Sequence, residues 1–170
     1  MVRIEPLSAE NFRTDSLDTY LRKQDVKRVY RKTDGEYALV DCAYTEDWDM
    51  AKRRSVAKSL MQDDCIAYLA LEESRGVGFV RLMKELEGAY MILDLIQVSE
   101  DCRGQGIGRQ LLDKGKETAR KAGAKALYIS ACSSEETIGF YKAMGCKLAE
   151  NTIKKIAENE PYDLQMVCPC

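Results

Sequence analysis

The stretch Arg103-Gly104-Gln105-Gly106-Ile107-Gly108-Arg109 joins two segments of different hydrophobic pattern. Residues 89–98 before it form an apolar run that predicts a β-strand, and the residues after it have the spacing of an amphipathic helix. A glycine-rich turn at a helix N-terminus exposes unpaired main-chain N–H groups at the positive end of the helix dipole. Because such a turn binds phosphate through the main chain alone, the segment predicts a phosphate site.

Composition and charge restrict the class of protein. The 170 residues, 45% of them hydrophobic, suffice for one core, so we treat residues 1–170 as a single domain. A formal net charge of −2 argues against a nucleic-acid partner, because binding the phosphate backbone requires a basic face. We interpret the basic cluster between Arg22 and Lys32 as a solvated helix face. With no secretion signal and no apolar run of about 18 residues, we expect a cytoplasmic protein without membrane contact.

Seven cysteines and no histidine restrict the chemistry further. The cysteines are odd in number and scattered through predicted strands, which is typical of buried free thiols rather than of a disulfide framework. Cys168 and Cys170 lack the spacing of a metal or redox motif. The absence of histidine excludes zinc–histidine sites, Ser-His and Cys-His nucleophiles and histidine as a general base. We expect no metal.

The hydrophobic pattern predicts antiparallel strands followed by a strand–helix–strand crossover, and hence a mixed sheet flanked by helices. Residues 16–32 are predicted as a helix interrupted near Gln24, because apolar spacing restarts at Val26 and Val29. Ser133 and Glu136 fit a capping box at the start of a helix that continues to 144. The other predicted elements are strands at 2–7, 37–44, 65–71, 77–83, 89–98, 126–131, 146–149 and 162–167, and helices at about 47–62, 111–123 and 152–158.

Two nucleotide-binding motifs do not fit the glycine turn. A Walker A loop requires Gly-Lys-Ser or Gly-Lys-Thr, and the sequence contains neither. A dinucleotide fingerprint beginning at Gly104 would need glycine where Arg109 stands. It would also follow the first strand of a βαβ unit, whereas this turn follows the third strand of a meander.

The turn resembles the acetyl-CoA signature of the GNAT superfamily of N-acetyltransferases, Gln/Arg-x-x-Gly-x-Gly/Ala, with Arg103, Gly106 and Gly108 at the matching positions. The run from Ser134 to Gly145 is similar to that family's Asn-x-x-Ala-x-x-Phe-Tyr-x-x-x-Gly helix. It departs from the pattern where Ser134 replaces the usual asparagine. The resemblance covers about half of the chain.

The resemblance implies an α/β fold of the GNAT acyl-CoA N-acyltransferase type: a mixed, mostly antiparallel sheet that is splayed at the CoA site and flanked by helices. It implies that the CoA pyrophosphate lies on the amides of the turn, and that the pantetheine arm runs beside strand 89–98 where this parts from strand 126–131. It divides the domain into acceptor-side helices at about 8–62, a CoA-binding core at about 65–148 and a C-terminal helix and strand at 150–170. The implied acetyl-CoA contacts are Ile96, Gln97, Val98, Arg103, Gly104, Gln105, Gly106, Ile107, Gly108, Arg109 and Ser134.

Acetyl transfer to an amine needs a group that removes the amine proton and an acid that protonates the leaving thiolate, and such an acid contributes about 10²–10⁴-fold. The resemblance implies that Tyr141 is this acid, beside the thioester sulfur. The strand offers one carboxylate, Asp94, which alternation places on the same face as Ile96 and Val98. An isolated aspartate in an apolar strand is costly unless it is hydrated or paired. Asp94 is therefore a candidate base, substrate anchor or structural carboxylate.

Direct attack of the amine is favoured over an acetyl-cysteine intermediate. Cys102 and Cys132 flank the expected cleft, but no evident base would activate either thiol. A main-chain N–H near Ile96 or Gln97 is the expected donor to the acetyl oxygen.

We therefore predict an N-acetyltransferase that transfers the acetyl group of acetyl-CoA to a primary amine of a small molecule or peptide in a ternary complex. The alternative is a non-catalytic acyl-CoA-binding or regulatory module of the same fold, which would be free to lose Tyr141. The expected partners are acetyl-CoA and an amine acceptor, with no nucleic acid and no membrane. The sequence leaves a homodimer open. The acceptor pocket is expected between residues 11 and 62, which include Tyr20, Tyr30, Tyr44 and Trp48.

Overall fold

The computed structural model describes the whole chain, from Met1 to Cys170. Its strands are β1 (Val2–Pro6), β2 (Lys23–Thr33), β3 (Glu36–Asp47), β4 (Cys65–Glu72), β5 (Arg75–Met83), β6 (Tyr90–Val98), β7 (Ala126–Ala131), β8 (Lys147–Leu148) and β9 (Leu164–Pro169). Its α-helices are α1 (Met50–Leu60), α2 (Ile107–Lys121), α3 (Glu135–Ala143) and α4 (Lys154–Asn159), and a short 3₁₀-helix covers Glu100–Cys102. No helix is both long and apolar enough to cross a membrane.

Seven strands form one sheet in the order β1-β4-β5-β6-β7-β9-β8, and β2 and β3 form a separate two-stranded ribbon. All neighbours in the sheet are antiparallel except β6 and β7, which are parallel. Helix α2 provides the crossover that a parallel pair requires. The mixed, mostly antiparallel sheet flanked by helices that the sequence predicted is thus confirmed.

Helices cover both faces of the sheet. On the face that we call the α2 face, α2 and α3 close a cluster that includes the fully buried Leu82, Met91, Leu111 and Leu127. On the opposite α1 face, α1 and the segment before β2 close a second cluster that includes Tyr20, Leu60, Leu69 and Phe79. Burying a side chain of this kind contributes about 1.5–3 kcal/mol, so each helix is fixed to the sheet by its apolar stripe.

The helix predicted for residues 16–32 is wrong, because residues 23–33 form strand β2 of the ribbon. An irregularity in pairing between Val26 and Arg28 leaves Val26 and Val29 buried three residues apart, which imitates helical spacing. The turn at Asp34 and Gly35 has positive φ angles of 52° and 83°, as a two-residue hairpin of this type requires. The predicted acceptor-side helices therefore reduce to α1, and a ribbon takes the place of the other.

Two local predictions about the C-terminal half also need correction. Helix α3 is capped by Ser134 rather than Ser133, since the Ser134 hydroxyl accepts a hydrogen bond from the Thr137 N–H. The cysteines are not all free thiols, because the sulfur atoms of Cys146 and Cys168 form a disulfide. This disulfide joins the residue after the α3 turn to the C-terminal end of β9.

Candidate active site

The two parallel strands at the centre of the sheet part before they end. Pairing between β6 and β7 stops at Leu93 and Ile129, although β6 continues to Val98 and β7 to Ala131. The predicted divergence of these strands is confirmed. The β7-facing edge of β6 beyond Leu93 therefore has no strand partner, and its main-chain groups are free to bind a ligand.

A cleft of about 940 Å³ opens where the strands part. It is lined by most of the residues that the sequence singled out: Asp94, Ile96, Gln97, Val98, Arg103, Gly104, Gly106, Ile107, Gly108, Arg109 and Tyr141. Of the predicted site residues, only Gln105 and Ser134 do not line it. A second cavity of about 680 Å³, between residues 6–14 and the end of α1, contains none of them.

The glycine turn presents a row of free donors at one end of the cleft. Gly106 caps α2 with a φ of 79°, and Gly104 has a φ of 76°, a conformation that only glycine adopts without strain. The main-chain N–H groups from Gly104 to Arg109 have no acceptor within the protein. Together with the helix dipole, these donors form a site for an anion.

Gly108 lets the start of α2 approach α3. A Cβ atom at this position would lie 3.2 Å from the ring of Phe140 and 3.8 Å from a methyl group of Val98. The turn, the end of β6 and the helix that carries Tyr141 are therefore held together by close packing around one glycine.

Arg103 ties the turn to its surroundings. Its Nε donates to the carbonyl oxygen of Val98 at 3.3 Å, and its Nη1 donates to that of Lys23 at 3.0 Å. The guanidinium thus bridges the ends of β6 and β2 while its positive charge stays at the cleft wall.

Ser134 is fully buried behind this wall. Its hydroxyl accepts from Gln24 Nε2 at 3.2 Å and donates to Thr137 Oγ1 at 2.8 Å. These bonds join the ribbon to the start of α3. The bidentate salt bridge between Arg28 and Glu135 joins the same two elements. Ser134 therefore positions α3 and the ribbon relative to each other.

Tyr141 enters the cleft from α3. Its side chain is almost fully buried, and its hydroxyl makes no hydrogen bond to another protein group. Burial raises the pKa of this phenol, and the nearby Cys132 and Asp163 act in the same direction. The hydroxyl therefore stays protonated at neutral pH, which leaves it free to donate to a bound ligand.

A profile of the acetyltransferase (GNAT) family matches residues 33–146, which include the parted strands, the glycine turn and Tyr141. The chain belongs to the GNAT acetyltransferase family. No protein of curated function matches the sequence.

Solved structures share the GNAT fold over nearly the whole chain. Nourseothricin acetyltransferase superimposes with a TM-score of 0.75 at 19% identity, over 99% of this chain and 98% of its own. A protein from Bacillus anthracis str. Ames described as a streptothricin acetyltransferase, solved in complex with acetyl coenzyme A, has a TM-score of 0.71 at 17% identity, over 98% and 96%. The ribosomal-protein-S18-alanine N-acetyltransferase of Escherichia coli has a TM-score of 0.60 at 15% identity, over 99% and 94%.

Asp94 lies on a different face of the GNAT sheet from the one predicted. Arg81 pairs with Leu95 and Leu82 pairs with Leu93, so Asp94 is the extra residue of a β-bulge. The bulge reverses the alternation: Ile96 and Val98 pack on the α2 face, whereas Asp94 lies on the α1 face.

Asp94 is held there by a buried arginine. Its Oδ2 accepts from Arg81 Nη1 at 2.7 Å, and the Arg81 guanidinium also donates to the Ser59 carbonyl, Gln62 and Asp64. About half of the Asp94 side chain is exposed, and its Oδ1 has no protein partner. The cost of burying Arg81 is offset by these bonds, and the aspartate keeps one oxygen for a ligand.

Sequence reasoning missed that Arg22 forms part of the cleft wall. Arg22 is buried rather than solvated, pairs with Glu46 at 3.3 Å and lies 5.5 Å over the ring of Trp48. Its Nε and Nη1 have no partner. Of the aromatic residues expected in an acceptor pocket, Trp48 lines the cleft, and Tyr20 belongs to the core.

It also missed two carboxylates, Glu160 and Asp163, in the turn before β9. Asp163 is half-buried and accepts from Ser130 Oγ on β7 at 3.1 Å. Burial raises its pKa to about 6, with a smaller contribution from Glu160. The only local signal was a turn ahead of a strand, which does not indicate that β9 lies beside β7.

Proposed function

We propose that this GNAT protein is an acetyl-CoA-dependent N-acetyltransferase that moves the acetyl group to a primary amine by direct attack in a ternary complex. One observation carries the proposal: the parting of β6 and β7 joins the free amides of the glycine turn to the unpartnered hydroxyl of Tyr141 in one cleft. The amides of the turn form a site for an anion, and the Tyr141 hydroxyl is an acid.

The donor half of the reaction uses mainly main-chain groups. The N–H groups from Gly104 to Arg109 hold the pyrophosphate, with the charge of Arg103 beside them. The free edge of β6 at Ile96, Gln97 and Val98 holds the pantetheine arm, and an N–H near Ile96 or Gln97 donates to the acetyl oxygen. The acetyl-CoA complex of the Bacillus anthracis relative supports this ligand class.

Tyr141 supplies the proton to the leaving thiolate. Its pKa is raised by burial, so the hydroxyl is the protonated acid that this step needs. Asp94, fixed by Arg81 and with Oδ1 free, anchors the ammonium group of the acceptor before it loses its proton.

The acceptor half favours a cationic amine. Away from the glycine turn, the cleft is lined by more carboxylates than cations. The carboxylates are Asp25, Glu46, Asp94, Glu160 and Asp163, and the cations are Arg22 and Lys52. A wall with excess negative charge attracts a positively charged acceptor.

Two measurements test the function. Calorimetric titration with acetyl-CoA should show saturable heat. Thiol release should rise above background when L-lysine, spermidine, nourseothricin or an alanine-terminated peptide is added. Binding without turnover for every amine would support the alternative of a non-catalytic acyl-CoA-binding module, and absence of binding heat would refute both.

A matched pair of variants at Gly104 tests the pyrophosphate site. A side chain at this position meets no atom within 4 Å, and Asp and Asn are the residues that best tolerate its positive φ. Unit charges about 4 Å apart repel by about 1–4 kcal/mol, depending on exposure. Gly104→Asp should therefore weaken acetyl-CoA binding at least about fivefold relative to Gly104→Asn, and equal affinities would contradict the site.

A further inference from the structure

A directed chain of hydrogen bonds ends on Asp163. The Ile153 N–H donates to the Tyr128 hydroxyl at 2.9 Å, and this hydroxyl donates to Gln165 Oε1 at 2.6 Å. Gln165 Nε2 then donates to Ser130 Oγ at 2.8 Å, which in turn donates to Asp163 Oδ2 at 3.1 Å. The side chains of Tyr128, Gln165 and Ser130 each accept from one neighbour and donate to the next, so the chain directs the Ser130 hydroxyl at Asp163 and orients the carboxylate.

The sheet places this carboxylate opposite Tyr141. Ser130 is paired in register with Gln165, and both alternate with Ile129 and Met166, which are buried on the α2 face. The chain of hydrogen bonds therefore lies on the opposite face of the sheet, the α1 face, on which Asp94 also lies. Tyr141 reaches the cleft from α3 on the α2 face, so the acid and the carboxylate approach the parted strands from two sides.

The two carboxylates on either side of the cleft differ in their partners. Asp94 is ion-paired with Arg81, whereas Asp163 bonds only to a neutral hydroxyl and has no cationic partner. Its Oδ1 accepts no hydrogen bond from the protein. An unpaired, oriented carboxylate oxygen in a reaction cleft is available to take a proton.

We propose that Asp163 is the general base that takes the proton of the attacking amine, a role that rests on the proposed acetyl transfer. The neutral amine attacks the thioester carbonyl carbon, the N–C bond forms and the C–S bond breaks. The proton from nitrogen passes to Asp163 Oδ1, and the thiolate takes the proton of Tyr141. The proton on Asp163 then returns through water to the Tyr141 oxygen, which leaves the amide and the CoA thiol as products.

The groups around Asp163 make it a base that works near neutral pH. Its titratable neighbours are Glu160 of its own turn and Tyr141 of α3, and the Cys132 thiol, which follows β7, lies near Tyr141 in the same cleft. On β2, the Arg31 guanidinium is engaged by Ser133 and the Tyr30 carbonyl and stacks over Tyr162. Burial raises the pKa of Asp163 to about 6, so it is ionised at pH 7 and yet more basic than an exposed aspartate.

The test compares Asp163→Asn with the wild type from pH 5 to pH 9, with the best acceptor of the panel above. The ratio of their kcat/KM values cancels the ionisation of the amine itself. We expect this ratio to rise with a midpoint near pH 6 to a plateau of at least about 10²-fold, because only the wild type gains a base. Glu158→Gln, an exposed carboxylate change on α4 outside the cleft, should match the wild type at every pH.

Three outcomes would overturn the base role while leaving the function intact. In the first, Asp163→Asn turns over within threefold of the wild type at pH 8. In the second, its kcat/KM is lowered by the same factor at every pH. In the third, Asp94→Asn shows the pH-dependent ratio to the wild type that is expected of Asp163→Asn. Acetyl-CoA affinity measured by calorimetry should be unchanged in Asp163→Asn, which separates catalysis from damage to the donor site. A wild type that acetylates no amine would instead refute the proposed function and the base role with it.

Discussion

Replacing Tyr141 by phenylalanine should separate catalysis from stability. The ring of Tyr141 is buried against the α2 face, but its hydroxyl has no protein hydrogen bond to lose. Removing the oxygen therefore leaves no polar group unsatisfied and keeps the packing, so the free energy of unfolding should change by no more than about 0.5 kcal/mol.

Turnover should respond very differently. Loss of a positioned acid lowers kcat by about 10²–10⁴-fold, which corresponds to about 3–5 kcal/mol in the activation barrier. The acetyl-CoA dissociation constant should stay within about twofold, because the pyrophosphate and pantetheine contacts lie elsewhere in the cleft. Thiol release gives kcat, and urea unfolding gives stability.

Tyr68→Phe is the matched control. The Tyr68 hydroxyl lies 3.0 Å from Thr118 Oγ1 and away from the cleft, so this variant should lose about 0.5–1.5 kcal/mol of stability and keep full turnover. A Tyr141→Phe protein as fast as the wild type would refute the acid role. A Tyr141→Phe protein destabilised by more than about 1 kcal/mol would refute the conclusion that the Tyr141 hydroxyl has no protein hydrogen-bond partner.

Two further predictions concern stability. The Cys146–Cys168 disulfide closes a loop with a sequence separation of 22. Reducing it should lower the free energy of unfolding by about 3 kcal/mol and Tm by about 6–12 °C. A variant with both cysteines changed to alanine should not respond to reductant, and an equal response would contradict the prediction. Because the pKa of Asp163 is raised to about 6 in the folded state, its contribution to stability is fully present below about pH 4 and is lost as pH rises through 6. Urea unfolding should therefore show Asp163→Asn to be about 1–2 kcal/mol more stable than the wild type at pH 8 and equally stable at pH 4. A variant that is less stable than the wild type at pH 8 would refute the conclusion that this carboxylate is buried without a cationic partner.

The part of the fold predicted from sequence is the part whose signals are local. Strand β7 and helix α2 follow from a short apolar run and an amphipathic period that ends at Gly123, which has a φ of 88°. Strand β2 was misassigned because its irregular pairing with β3 puts buried valines at helical spacing. The Asp34-Gly35 pair was the local signal for a hairpin. When both flanking segments are treated as strands, this turn predicts a hairpin more strongly than the valine spacing predicts a helix.

The candidate site divides in the same way. The proposed donor half includes a contiguous turn with free main-chain N–H groups, so glycine spacing indicated a phosphate site there, and the resemblance to the GNAT signature indicated acetyl-CoA. Its acceptor half brings together Arg22, Asp94 and Asp163 from distant parts of the chain, and only the sheet order shows that they meet. The face of Asp94 depended on a bulge, a pairing feature that alternation along one strand does not indicate.

Hydrogen–deuterium exchange with and without acetyl-CoA tests the central claim most directly, namely that the parted strands and the glycine turn hold the donor. In the free protein, the N–H groups from Gly104 to Arg109 have no protein acceptor and should exchange rapidly. Acetyl-CoA should slow exchange across residues 94–109 and leave the ribbon turn at residues 33–36 unchanged. Acetyl-CoA that binds with measurable heat, yet protects residues 6–14 and 60–68 around the second cavity instead, would contradict the account.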